Sequence, residues 1–457
     1  MPRKKITTMT KKQREEDEPR RVSKIKAPQL LKGMKDVLPQ DQKYWQFILK
    51  ACRRIASSHC FDWIETPILE STSLYQRSTG KYSDIVRKEM FSFVDQGEEN
   101  ISLRPEFTPG IARAYVEHGM INLPQPVKFF TYGPIFRHDK PQAGRYRQFS
   151  QLNFEIIGDK SPAIDAELIC MEYFILHDLG LESTTHVNSI GCQVCRPQYM
   201  ELLSDYFKSK RKNLCEDCKT RLTKNPLRIL DCKETVCGEI ASEAPQTVDY
   251  LCEDCKTHFM RVLEHLDEAD IPYVLDPKIV RGLDYYTSTT FEAFLNQEGE
   301  EKIGRQTALS AGGRYDKLIE EFGGRLDTPA CGFAMGVERI MLALKENEVA
   351  VPPLPKADVF LAQLGASARK KAVRLLEDLR EEGLFIKANL VKDSLSSQLS
   401  LANKLDVKIT LILGQKEVTD KTILVRDMET GSQEIVDLKK LVVDIKKRLR
   451  KIDEQKQ

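Results

Sequence analysis

No stretch of about 18 consecutive apolar residues occurs in the 457-residue sequence, which excludes an ordinary membrane-spanning helix. The first residues are lysine-rich and lack an apolar core segment, so no secretory signal is expected, and a cytosolic protein with no membrane partner is. Net charge is nearly absent, 70 Lys+Arg standing against 68 Asp+Glu. With 41% hydrophobic and 8% aromatic residues the chain has neither the poverty of a disordered protein nor the bias of a collagen, and there is room for two or three domains. Two nucleotide signatures are missing: there is no Gly-x-x-x-x-Gly-Lys-Ser/Thr loop and no Gly-x-Gly-x-x-Gly after a strand. A nucleotide site here must be of another type.

What charge there is lies unevenly. Residues 1–26 hold ten Lys/Arg against four acidic residues, which leaves the rest mildly acidic. The arm over 1–27, with Arg3-Lys4-Lys5, Lys11-Lys12 and Arg20-Arg21, reads as solvated and disordered. Holding RNA phosphates is its alternative use. The run Glu15-Glu16-Asp17-Glu18 disfavours a transit peptide.

The cysteines are clustered. Eight of the 12 fall between Cys192 and Cys255, so their role is local. Leu214-Cys215-Glu216-Asp217-Cys218-Lys219-Thr220 recurs unchanged as Leu251-Cys252-Glu253-Asp254-Cys255-Lys256-Thr257. Without an export signal, paired CxxC favours metal over disulfides. The two knuckles, Cys215, Cys218, Cys252 and Cys255, could close a tetrahedral Cys₄ zinc site. Cys192-x₂-Cys195 and Cys232-x₄-Cys237 could complete a second. Capped helix starts with reduced thiols are the other reading.

Along the chain, Pro39 onward reads as a helix with Tyr44, Trp45, Phe47, Ile48, Ile55 and Ala56 at helical spacing. A turn and an extended segment, Trp63 to Leu69, follow. Pro67 inside that strand implies an edge or an interface. Val127 to Phe136 and Arg147 to Gly158 flank a long polar tip, the pattern of an antiparallel hairpin. Residues 164–179 and 196–208 read as amphipathic helices, and 192–258 interrupts the pattern like an inserted module. A β-rich block runs from Tyr273 to Leu309, and Val351-Pro352-Pro353-Leu354-Pro355 reads as a linker. Beyond it, β and α segments alternate as a small α/β domain ending in a basic helix from Leu438.

Period-two alternation puts Gln151, Asn153 and Glu155 on one face of the second hairpin strand, wet and acidic, and Leu152, Phe154 and Ile156 on the other. Arginines recur beside glycines, prolines or aromatics, in Arg104-Pro105-Glu106-Phe107-Thr108, at Arg137 and Arg145, in Arg281-Gly282-Leu283-Asp284-Tyr285-Tyr286, and in Gly336-Val337-Glu338-Arg339. Planar, permanently charged guanidinium groups suit polyphosphate and carboxylate recognition. The glycine-rich runs Ala311-Gly312-Gly313-Arg314-Tyr315-Asp316 and Cys331-Gly332-Phe333-Ala334-Met335-Gly336 permit close backbone approach to a ligand.

These segments together resemble the histidyl-tRNA synthetases, a family of class II aminoacyl-tRNA synthetases, from about Lys32 to Lys447. Phe61 to Pro67 resembles motif 1, Phe136 to Glu155 motif 2, and Gly332 to Arg339 motif 3. The runs Arg281 to Thr287 and Ala311 to Asp316 resemble the histidine-specific pair. The resemblance implies an α+β architecture. A class II antiparallel-sheet catalytic domain would span 28–350 with a helical Cys-rich insertion at about 186–270, followed by an anticodon-binding α/β domain over 351–457. It implies ATP-dependent activation of L-histidine to histidyl-adenylate, with Mg²⁺ accompanying ATP, and transfer of histidine to the 3′ end of tRNA(His) by a homodimer.

Carried over by position, Arg137, Arg145 and Arg339 would bind ATP, and Arg281 with Arg137 would be catalytic. Glu106, Thr108, Gln151, Glu155, Tyr286 and Tyr315 would hold histidine. Phe107 and Pro109 depart from the family's small residues, which weakens Thr108 in particular. The family does not supply the full cysteine set. A catalytically inactive, synthetase-like regulatory subunit of histidine biosynthesis is the rival reading; it predicts loss of the phosphate arginines and of the tail.

Overall fold

The structure is a computed structural model that describes residues 27–80, 83, 85–140, 144–296 and 308–455. The basic arm lies outside these but for its last residue, as does the tip of the hairpin loop at 141–143. The chain divides into two compact units, Met1–Val351 and Pro352–Gln457, parting inside the proline-rich run.

The strands of the first unit are β1 (Asp62–Trp63), β2 (Leu69–Ser71), β3 (Ser92–Val94), β4 (Asn100–Leu103), β5 (Val127–Phe136), β6 (Gln148–Ile157), β7 (Ser183–Ser189), β8 (Tyr273–Leu275), β9 (Thr287–Leu295), β10 (Ser310–Arg314) and β11 (Ala330–Gly336). Eight of them make one sheet in the order β1-β5-β6-β11-β10-β9-β7-β8, and β2-β4-β3 make a small one. The large sheet is antiparallel except at its two edge pairs, β1 with β5 and β7 with β8.

One face of this sheet carries the core. Helix Gln42–Ser58 buries Trp45, Ile48, Ala51, Cys52, Ile55 and Ala56, a stripe at three- and four-residue spacing. It ends where Cys60 turns left-handed (φ +59) and the Phe61 amide bonds back to the Ala56 carbonyl. On the same side lie helices Pro162–Asp178, Glu253–Glu268 and Val337–Glu346, over Leu152, Phe154 and Phe333. Phe154 and Phe333 stack with centroids 4.6 Å apart. Helix Pro162–Asp178 is not the amphipathic helix expected over 164–179. It buries Ile164, Ala166, Leu168, Ile169, Met171, Ile175 and Leu176, because helix Glu253–Glu268 covers the side turned away from the sheet.

A further expectation is corrected. Pro67 does not sit in a strand: the segment breaks into β1 and β2, with Thr66-Pro67-Ile68 between them. The helical module, expected at about 186–270, starts after β7, which runs to Ser189 and pairs with β9. It then spans helices Arg196–Ser209, Glu216–Lys224, Thr235–Ser242 and Glu253–Glu268.

The second unit is a mixed sheet of β12 (Val359–Gln363), β13 (Ile386–Ala388), β14 (Ile409–Leu413), β15 (Thr422–Asp427) and β16 (Gln433–Asp437), in the order β13-β12-β14-β15-β16. Helices Ala366–Glu381 and Leu441–Gln455 pack into one hydrophobic cluster with it, and helix Leu395–Lys404 into another. Among the described residues no helix is long and apolar enough to cross a membrane.

Candidate active site

The second face of the large sheet is polar and floored with small residues. Antiparallel register sets Glu155 opposite Gly332, Asn153 opposite Ala334 and Gln151 opposite Gly336. Each polar side chain on β6 therefore projects over a residue that occupies almost no space. The requirement is strict at Gly332, where a Cβ would stand 1.6 Å from Glu155 Oε2. The face is not wet, as alternation alone suggested: Glu155 and Asn153 are 1% and 2% exposed. Loops from the neighbouring elements close over it.

Glu155 is held from two sides, accepting from the Thr108 hydroxyl at 2.6 Å and the Tyr315 hydroxyl at 2.5 Å. Burial pushes its carboxyl up to about 7 despite those two hydrogen bonds. Glu106, also buried, accepts from Tyr285 at 2.7 Å, while its Oε1 has no partner among the described residues. Burial raises its carboxyl too, opposed by the Tyr285 hydroxyl and the charges of Arg137 and Arg281. Tyr285, Tyr286 and Tyr315 form a wall, with ring centroids 4.7 Å apart between Tyr285 and Tyr286 and 5.7 Å between Tyr285 and Tyr315. Gly313, at φ +155, lets the chain pass beneath Tyr286, whose ring would lie 2.9 Å from an added Cβ. Two carboxylates with an unfilled acceptor, walled by aromatic rings, suit a small cationic amine.

Beside this pocket, positive charge converges. Burial and the charges of Arg145 and Arg137, with Arg281 adding a smaller push, bring Arg339 down to about 10. Arg339 donates to the Ala308 carbonyl at 2.9 Å and Arg137 Nε to the Pro105 carbonyl at 2.8 Å. Arg145 reaches Asp139 at 3.2 Å on the hairpin loop. Arg281 holds a left-handed backbone (φ +54), unusual for a side-chain-bearing residue. It pairs with Glu292, lies over the Tyr286 ring at 5.3 Å, and keeps a buried Nε with no partner among the described residues. Burial is the largest influence and opposes its charge, but Glu292 and Tyr286 together outweigh it and keep the guanidinium protonated. Like charges gathered under burial raise the energy of the empty site, and an anion relieves it.

The model for the family described as histidyl-tRNA synthetase matches residues 33–340, and that for an anticodon binding domain matches residues 349–448. This chain belongs to the histidyl-tRNA synthetase family. It is 44% identical over 418 residues to the histidine–tRNA ligase of Desulforamulus reducens, covering 91% of this chain and 98% of that protein. The histidine–tRNA ligase of Natranaerobius thermophilus is likewise 44% identical, over 92% of this chain and 98% of its own. Among solved structures, the apo histidyl-tRNA synthetase of S. aureus superposes with a TM-score of 0.75 at 34% identity, over 91% of this chain and 99% of that one.

Set in a histidyl-tRNA synthetase fold, Glu106, Thr108, Glu155, Tyr286 and Tyr315 line one pocket, Gln151 lies on its sheet face, and Arg137, Arg145, Arg281 and Arg339 stand beside it. Other arginines singled out by their motifs are structural. Arg104 donates to the Thr66 and Pro134 carbonyls and lies over the Phe107 ring at 4.3 Å. Phe107, 1% exposed, thus packs in the core instead of distorting Thr108. Arg314 is buried against Asp165 at 2.6 Å, and His258 meets the same carboxylate at 3.2 Å. His258 is therefore an ion-pair partner of the sheet's inner helix. Sequence reasoning missed Tyr285 and Glu292. Tyr285 stood in the quoted run, but only the fold shows it reaching Glu106; Glu292 shares β9 with no local signal.

The proposed cysteine set does not come together. The structure gathers Cys192, Cys195, Cys252 and Cys255 in one group and Cys215, Cys218, Cys232 and Cys237 in another. The identical heptapeptides start two different helices, Glu216–Lys224 and Glu253–Glu268, and each meets a cysteine pair brought to it by another turn of chain.

A buried carboxyl near the site gives a stability prediction. Glu172 is fully buried, accepts from Thr185 at 3.1 Å, and is pushed by burial up to about 7. With the folded pKa above the unfolded one, its protonated form favours folding below about pH 4.5, and that benefit is lost as pH rises through about 7. In thermal melts, Glu172→Gln should gain a few degrees on the wild type at pH 8 and lose that advantage by pH 5. An advantage independent of pH would contradict this assignment.

Proposed function

We infer that the chain activates L-histidine with ATP to histidyl-adenylate, releasing pyrophosphate, and passes the histidyl group to the terminal adenosine of tRNA(His). The observation that carries this is the adjacency of a carboxylate-and-tyrosine pocket to four converging arginines, within a chain of this family. Glu106, with its unfilled oxygen, and Glu155 with Thr108 take the α-ammonium group. Tyr286 and Tyr315 wall the imidazole, and Gln151 orients the substrate from the sheet floor. Arg339, Arg137 and Arg145 hold the ATP phosphates. Mg²⁺ enters with ATP as part of that substrate and shares in neutralising the triphosphate.

Arg281 does the electrostatic work. Its guanidinium offsets the charge that builds where the histidine carboxylate oxygen attacks the α-phosphorus. Because it stays protonated and is pinned by Glu292 and Tyr286, it is oriented before substrate arrives. No proton needs to move in this step, so acid–base catalysis has no part in it. The second unit takes the anticodon stem, and the protein acts in the cytoplasm as a homodimer. Trp63, Ile68 and Leu69, apolar yet 43–45% exposed around edge strand β1, support an interface there. The regulatory-subunit alternative is disfavoured by the presence of all four arginines. Charging tests the transfer: labelled histidine should become acid-precipitable on tRNA(His) and on no other tRNA. Adenylate formation without charging would refute the tRNA half of this reading.

A further inference from the structure

The two cysteine groups carry more than thiols in contact. Within each, the four sulfurs lie within 4.8 Å of one another. In the first group Cys192 stands 3.8 Å from both Cys195 and Cys252, and Cys195 stands 3.9 Å from Cys255. In the second, Cys215 is 3.9 Å from Cys232. An ion holding four sulfurs at about 2.3 Å in a tetrahedron sets neighbouring sulfurs about 3.8 Å apart, whereas a disulfide needs about 2.05 Å. A four-iron cubane spreads its thiolates farther, with four metals between them.

Backbone amides also aim at the sulfurs: Val194 at Cys192, Cys192 at Cys195, Cys215 at Cys237 and Cys218 at Cys215, over 3.2–3.4 Å. Such donors suit thiolates, which accept hydrogen bonds well, and orient metal ligands. Three of the pairs stand at helix starts, where the positive helix end favours an anionic Cys₄ centre. The module needs such staples. Its helices Glu216–Lys224 and Thr235–Ser242 are 9 and 8 residues long, too short to persist unaided.

The first group has a further consequence, because it ties the entry of the module, at Cys192 and Cys195, to the start of its last helix at Cys252 and Cys255. Arg196, next to Cys195 and within the field of Cys195, Cys192 and Cys255, offsets part of a tetrathiolate's charge. The same guanidinium donates to the Ile190, Gly191 and Tyr286 carbonyls at 3.1, 2.8 and 2.8 Å. It thus links the cysteine group to the pocket wall.

We propose that the two groups are two structural zinc sites, and that the first, through Arg196, positions the Tyr286 wall of the pocket. The second half rests on the histidine reading above; the first does not. Elemental analysis of the full-length protein purified without chelator should return two zinc per chain. A mercurial titration of wild-type protein should release both, which requires no variant to fold. Cobalt-substituted protein should show the visible bands of tetrahedral Co²⁺ with thiolate charge transfer.

Less than one equivalent of any metal, iron in place of zinc, or disulfides by mass spectrometry would overturn the sites. Cys252→Ser should lose one equivalent. Arg196→Ala should keep both and raise KM for histidine about tenfold while kcat falls less than threefold. An unchanged KM, in an enzyme that still activates histidine, would overturn the positioning link alone. No histidine activation by wild-type protein that holds two zinc would instead count against the functional reading.

Discussion

Arg281→Ala should lower the rate of histidyl-adenylate formation about 10³-fold while histidine affinity changes less than about fivefold. The asymmetry follows from where the side chain sits. Arg281 lies over the Tyr286 ring and is clamped by Glu292, whereas the oxygens proposed to hold the amine belong to Glu106 and Glu155 on other elements. Removing it deletes a charge needed only while the new bond to phosphorus forms. Arg281→Lys should recover part of the rate, since the charge returns without the fork that spans two oxygens. Single-turnover kinetics with calorimetric histidine binding checks both halves. Normal turnover in the alanine variant would remove Arg281 from catalysis.

Gly332→Ala should raise KM for histidine by about 100-fold. The added Cβ would lie 1.6 Å from Glu155 Oε2, 2.5 Å from its Cδ and 2.6 Å from the Phe154 carbonyl, and the last is backbone that cannot swing aside. Glu155 must leave its hydrogen bonds with Thr108 and Tyr315, and losing one charge-assisted contact to the ammonium costs about 1.5–3 kcal/mol. Two decades in KM correspond to about 2.8 kcal/mol. Steady-state kinetics over a range of histidine concentrations reads this directly. A KM within threefold of wild type would mean that Glu155 does not hold the substrate.

The sequence reached the hairpin strands and the β/α alternation of the second unit because each leaves a local trace, period-two polarity or helical spacing, and arginines beside glycines and aromatics marked the segments that the fold brings together. It missed β16, an edge strand of Gln433 to Asp437 whose residues are nearly all exposed and carry no alternation. The pairing of cysteines was also illegible. CxxC spacing says that two thiols share a turn, and the repeat suggested that like pairs with like. Which pair meets which depends on β7 and helix Glu253–Glu268 converging at the neck of the module, a fact of topology. Polarity on β6 was read as exposure for a similar reason. One strand cannot reveal that Tyr285, Tyr286 and Tyr315 arrive from elsewhere to close over Glu155 and Glu106.

The central claim is that one pocket selects histidine and four arginines activate it. Exchange of labelled pyrophosphate into ATP, run with histidine and with each other amino acid before any tRNA is added, tests it most directly. The account predicts exchange with histidine alone, at a rate that Arg281→Ala abolishes. No exchange from protein that still binds histidine would contradict it and leave the pocket to a regulatory role.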